Sequence, residues 1–156
     1  MRKEIVIKLI KEMPGISYNE IVRETGLSNG VISHYLIKLL SEKEVEKEGD
    51  KRGKYFLKNI PKKDRALIIL LRNKTNNEIF RYLMDKIKNN EISNSRDIAK
   101  KVKKSGSTIS VSLKILQKNG IVERMLMNKN SKLTNDIGYK IRNDALWSRY
   151  FIKYNL

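Results

Sequence analysis

The sequence predicts a mainly α chain with small β-hairpin wings, an α+β class, assembled from one structural unit used twice. Three observations predict it: an internal repeat, apolar residues at helical spacing, and short β-prone stretches around charged turns. Moving the chain along itself by 77 residues lays Ile21 on Ile98, Ser28 on Ser105, Ile32 on Ile109 and Ser33 on Ser110. The same register continues through Leu36 on Leu113, Leu39 on Leu116, Val45 on Val122 and Glu46 on Glu123. Identities in one ungapped register, mostly at apolar positions or helix starts, mark a duplicated unit.

In the first copy, Ile5, Val6, Leu9, Ile10 and Met13 recur at helical spacing until Pro14-Gly15 stops them. Ser17-Tyr18-Asn19-Glu20 has the form of a capping box, in which hydroxyl and carboxylate satisfy the free N–H groups of a new helix. Thr25-Gly26-Leu27 ends that helix within about two turns, since Gly26 tolerates a positive φ. Ser28 caps a third helix whose inward stripe is Val31 or Ile32, then Leu36 and Leu39. A helix, a short helix, a tight glycine turn and a further helix form a helix-turn-helix. Two strands follow, 44–48 and 54–58, around the charged tip Gly49-Asp50-Lys51-Arg52-Gly53, and a hairpin at that point is the wing of a winged helix.

The second copy opens with Thr75-Asn76-Asn77-Glu78, read as another capping box, ahead of Ile79, Phe80, Leu83, Met84 and Ile87. A short helix is expected over 95–103, a turn at Lys104-Ser105-Gly106, and a third helix over 107–118 closed by Asn119-Gly120. Its wing is read as 121–127, a turn at Asn128-Lys129-Asn130, and a return through Lys132-Leu133. The last helix is expected over 134–154. The domains are therefore two tandem winged helix-turn-helix domains, 1–60 and 75–156, the second carrying the C-terminal helix. A linker helix within 61–74 joins them.

Composition narrows the function. Among 156 residues, 34 Lys and Arg oppose 17 Asp and Glu, a formal net charge of +17 that predicts attraction to a polyanion. The net charge is +3 over 1–60, +4 over 61–74 and +10 over 75–156, so the second half should dominate non-specific attraction. The absence of cysteine removes disulfides, thiolate zinc sites and cysteine nucleophiles. A single histidine, with no carboxylate pair in an apolar run, leaves nothing to build general acid–base catalysis from, so no enzyme is expected. No cofactor and no metal are expected either: Lys104-Ser105-Gly106-Ser107-Thr108 lacks the Gly spacing of a phosphate-binding loop. The opening residues lack the apolar core of a signal peptide, and the longest apolar run, Ala66 to Leu71, is far short of the ~18–20 residues a span needs. The expectation is a cytoplasmic, nucleoid-associated protein without a membrane partner.

The stretch from Leu27 to Leu36, with Leu39 and Val45, resembles the winged-helix regulators of the MarR and ArsR type, as do Ser105 to Leu116 and Gly120 to Arg124. Leu133-Thr134-Asn135-Asp136-Ile137-Gly138 resembles the Leu-Thr-x-x-Gly signature that leaves the wing in MarR-like proteins. The chain is most similar to small archaeal and bacterial proteins carrying two such units. The resemblance implies double-stranded DNA binding and transcriptional regulation. The chain departs from ArsR-type metal sensors in lacking their Cys/His ligand set.

A recognition helix meets base edges with its outward residues while its neighbours fix phosphates. Ser28, Asn29, Gly30, Ser33, His34 and Lys38 are the candidates in the first copy; Ser105, Ser107, Ser110, Val111 and Lys114 are those in the second. Asn29 has the donor–acceptor pair that binds adenine. Wing cations Lys51, Arg52 and Lys54, and Lys129 and Lys132 in the second wing, are candidates for the minor groove. Lys100, Lys101, Lys103 and Lys104 precede the second recognition helix and are candidates for phosphate contact. The aromatic load of the last helix, Trp147, Tyr150, Phe151 and Tyr154, has two readings: packing onto its own unit, or a homodimer contact. The competing function is a winged-helix protein-docking module of a transcription or replication complex, with non-specific nucleic-acid affinity and the basal transcription machinery as partner.

Overall fold

The computed structural model describes residues 2–127 and 137–156, whose contacts gather them into two units. One holds the chain up to Leu70 together with Ile152–Leu156; the other is Leu71–Phe151. The architecture is mainly helical with small antiparallel sheets.

In the first unit, α1 (Arg2–Glu12) is followed by β1 (Ile16–Ser17), α2 (Tyr18–Thr25), α3 (Asn29–Ser41), β2 (Val45–Glu48) and β3 (Lys54–Leu57). The capping box forms at α2: the Ser17 N–H donates to Glu20 Oε2 at 2.8 Å and the Glu20 N–H to Ser17 Oγ at 3.3 Å. Ser28 caps α3. The strands pair antiparallel in the order β1-β3-β2, with Ile16 opposite Tyr55 and Val45 opposite Leu57. Val6, Ile10, Ile16, Ile21, Ile32, Leu36, Leu39, Val45 and Tyr55 form the core, so Ile32 rather than Val31 faces inward. Burying each such aliphatic side chain is worth about 1.5–3 kcal/mol.

Helix α4 (Lys62–Arg72) begins behind Pro61, whose carbonyl accepts from the N–H groups of Asp64 and Arg65. Arg65 is 3% exposed. Its Nη1 donates to Glu46 Oε2 at 2.7 Å and Glu48 Oε1 at 2.9 Å, and its Nε to the Ile60 carbonyl at 2.9 Å. The guanidinium also lies 5.7 Å from the Phe56 ring centroid. Burial works against its charge, but the hydrogen bonds it donates to the two glutamates outweigh that and raise its pKa. In return, the hydrogen bond from Arg65 holds the Glu46 carboxyl below the usual carboxylate range.

The second unit contains α5 (Lys74–Ile87), α6 (Ser95–Val102), α7 (Gly106–Lys118), β4 (Val122–Leu126), β5 (Ile137–Ile141) and most of α8 (Asp144–Lys153). Ile79, Phe80, Leu83, Ile98, Ile109, Leu113, Leu116, Ile121, Val122 and Ile141 are buried. Strands β4 and β5 pair antiparallel, and Ser93 bridges to Tyr139 on β5. Aromatic side chains of α8 and of the residue after it have contacts within the chain. Phe151 stacks on Phe80 at 4.4 Å, Trp147 is buried, and Tyr154 donates to Asp64 at 2.7 Å inside the first unit. Burial, then the Asp64 bond, pushes the Tyr154 pKa up to about 12.

Three sequence expectations are corrected. Residues 137–141, assigned to the last helix, form β5, and α8 starts only at Asp144. Ile137 and Ile141 are spaced for a helix face, but Ile137, Tyr139 and Ile141 also alternate as a strand does, and Asn143 at a φ of 52° separates strand from helix. The described strand that pairs with β4 is 137–141, and the expected return through Lys132-Leu133 lies outside the described residues. The cap of α5 is Asn73, whose side chain accepts from the Asn76 N–H, and Thr75 lies inside the first turn. In the α6–α7 turn, Gly106 is the first residue of α7, and the left-handed residue is Lys103 at a φ of 60°. The expected turn at 128–130, Lys129, Lys132 and most of the Leu133–Gly138 stretch lie outside the described residues.

Lys103 stands 77 positions after Gly26, which holds the same place in the first unit at a φ of 67°, with matching N–H bonds to Ala99 and Val22. Left-handed backbone costs a side chain about 1–2 kcal/mol, and glycine nothing. Lys103→Gly is expected to stabilise the second unit by about 0.5–1 kcal/mol, part of the gain being lost to a freer unfolded chain. Urea titration followed by Trp147 fluorescence reads it, and a lower midpoint would contradict the strain. Arg65→Ala is expected to cost about 1–3 kcal/mol, because carbonyls and carboxylates lose their donor while the half-exposed glutamates regain water. A circular-dichroism urea curve unmoved by the change would show that the buried cation holds nothing.

Candidate nucleic-acid interface

Burying Ile32, Leu36 and Leu39 turns the opposite side of α3 outward. Ser28, Asn29, Gly30, His34 and Lys38 are exposed there, Ser33 is half-buried, and the helix contains no acidic residue. Ser28 Oγ accepts the Val31 N–H at 3.4 Å, so its hydroxyl serves the helix start, where free N–H groups and the positive dipole end favour an anion. The His34 ring meets Tyr35 edge-on at 5.1 Å.

Tyr18, at the first position of α2, went unrecognised in the sequence. Its hydroxyl lies 3.0 Å from the Asn29 carbonyl, 3.3 Å from Asn29 Oδ1 and 2.9 Å from Ser33 Oγ. With one proton to give, it donates to an oxygen of Asn29 and accepts from Ser33. Tyr18 also lines a cleft of about 600 Å³ with Ser17, Asn19, Lys47, Lys51, Arg52, Gly53, Lys54 and Tyr55. The wing cations thus stand around the start of α2, and no acidic side chain is among the lining residues. Lys47 belongs to this group and was also missed. Its signal was legible: in Glu46-Lys47-Glu48, strand alternation sends the glutamates to Arg65 and the lysine to the other face. Burial, then the neighbouring Tyr18, raises the Tyr55 pKa, so its hydroxyl stays neutral beside these cations.

In the second unit, Lys100, Lys103, Lys104, Ser105, Ser107, Ser110 and Lys114 are exposed around the α6–α7 turn and the outward side of α7. Ser105 Oγ accepts the Thr108 N–H at 3.2 Å and lies within hydrogen-bond reach of the Ser107 and Thr108 hydroxyls. Lys101 parts from the group: it lines a separate cavity of about 390 Å³ with Glu78, Arg81, Tyr82 and Asp85. Lys129 and Lys132 are outside the described residues, so nothing places them beside these groups. Among the described residues, no cluster of three His, Asp or Glu side chains is arranged to hold a metal, and no helix is long and apolar enough to cross a membrane.

Tyr18→Phe is expected to cost the first unit about 0.5–1.5 kcal/mol and to free Asn29 and Ser33. The Asn29 side-chain amide cross-peak should move toward its free-peptide position, and an unmoved peak would mean that the bond is not made in solution. Residues 73–124 match the family model for bacterial regulatory proteins of the arsR family. Among curated proteins, none matches the chain. The family match, about a third of the chain, covers α5, α6, α7 and the start of β4, and it supports a winged-helix, DNA-binding regulator.

Proposed function

We propose that the chain is a double-stranded DNA-binding transcriptional regulator with sequence preference, built from two tandem winged helix-turn-helix domains at 1–60 and 75–156 joined by a linker helix. The observation that carries the reading is the matched helix-turn-helix, whose turn and outward helix face display Lys100, Lys103, Lys104, Ser105, Ser107, Ser110 and Lys114 to solvent. Such a surface suits phosphate oxygens and groove edges.

Several features support extending the reading to the first unit. At a spacing of 77 residues, Ser17 and Asn94 cap α2 and α6, and Ser28 and Ser105 cap α3 and α7. Lys43 and Gly120 share a left-handed position after α3 and α7. Ile16 meets Tyr55 on β3 as Ser93 meets Tyr139 on β5. On this reading Asn29, Gly30, Ser33, His34 and Lys38 meet the major groove, while Ser28, Lys47, Lys51, Arg52 and Lys54 hold backbone or minor groove.

Fluorescence anisotropy on the chain's own upstream DNA and on a shuffled fragment tests this. With about 6–10 phosphates neutralised, affinity should fall ~10³–10⁵-fold between about 50 and 200 mM salt. At the higher salt the upstream fragment should bind more tightly, and Asn29→Ala with Ser33→Ala should remove the difference. Equal binding of both fragments by the unaltered protein would overturn sequence preference and leave a non-specific basic surface.

A further inference from the structure

Helix α7 buries Ile109, Ser112, Leu113 and Leu116, and the opposite side is polar except at two positions. Val111 is 59% exposed and Ile115 39%. Helical spacing sets Val111 one turn after Ser107 and one turn before Lys114 and Ile115, near the middle of the outward face. More than half of its surface lies in solvent. Valine is a weaker helix former than the straight-chain residues, and at 59% exposure it gains little from burial there. The first unit has His34, a hydrogen-bonding ring, at the same place in the repeat.

The charge around the pair indicates what covers it. Helix α7 has no acidic residue, Lys114 stands beside Val111, and Lys100, Lys103 and Lys104 are exposed at the turn before the helix. An apolar spot framed by cations fits a polyanion that itself carries an apolar group. In the major groove of DNA that group is the C5-methyl of thymine, the one methyl the four bases display. We infer that Val111 is a specificity-determining residue of the second unit, packing its methyls on thymine C5-methyl groups, with Ile115 flanking the contact. The inference rests on the DNA-binding reading above and adds the base that α7 selects. Serines 107 and 110 and Lys114 hold the helix in the groove, and Val111 reads.

The test compares two versions of the upstream fragment, one with thymidine and one with deoxyuridine throughout, which differ only in that methyl. At about 150 mM salt the unaltered full chain should favour thymidine DNA by about fourfold for each methyl covered, the usual worth of burying a methyl-sized group. Val111→Ser keeps charge and helix, as circular dichroism will check, and should bind both DNAs nearly equally. Retained preference in that variant would overturn the assignment to Val111. Equal binding of both DNAs by the unaltered chain would overturn the inference while leaving DNA binding intact. Binding to neither DNA would overturn the underlying reading as well.

Discussion

The first unit depends on one buried cation. Arg65 carries its charge at 3% exposure because Glu46 and Glu48 reach it from β2 and the Ile60 carbonyl from the chain beyond β3. A strand that gives two side chains to one face must give the residue between them to the other. The pull of Arg65 on the glutamates therefore also decides where Lys47 goes, and with it the composition of the basic cleft. In a chain with twice as many bases as acids, two carboxylates are committed to fixing the hairpin against α4. The remaining wing cations stay available to solvent.

The second unit shows the same backbone requirements met by different residues. In each unit a left-handed residue sits between the second and third helices and another follows the third. The first unit uses Gly26 and Lys43, the second Lys103 and Gly120. Backbone geometry is kept while the residue that fills it changes, which is why identities cluster at core and cap positions and vanish in the turns. The two outward faces differ in the same way: α3 offers amide, hydroxyl, imidazole and ammonium groups beside an exposed Ile37, whereas α7 offers hydroxyls, an ammonium, Val111 and Ile115.

Much of this was legible because it rests on periodicity and caps. Ile32, Leu36 and Leu39, the Ser17–Glu20 box and the hairpin around Gly49–Gly53 each leave a local pattern. Residues 137–141 misled because two isoleucines four apart satisfy helix and strand alike, and only pairing with β4 decides between them. Lys103 was hidden because nothing in its residue type marks a left-handed position, which a lysine rarely takes. Tyr18 left no signal at all: its role comes from a hydroxyl reaching across to α3, a contact that no spacing along the chain announces.

The grouping of Ile152–Leu156 with the chain up to Leu70 has a consequence for biosynthesis. Leu71–Phe151 lies in the chain between these two stretches, and the ribosome must make it before Tyr154 and Asn155 exist to bond Asp64 and Glu12. At about 5–20 residues per second, the first unit waits on the order of 4–16 s for its last pieces. Folding of the second unit in that interval shortens the loop that remains to be closed. The second unit can therefore mature first, and the first is completed only when the helix leaving the second delivers its tyrosine.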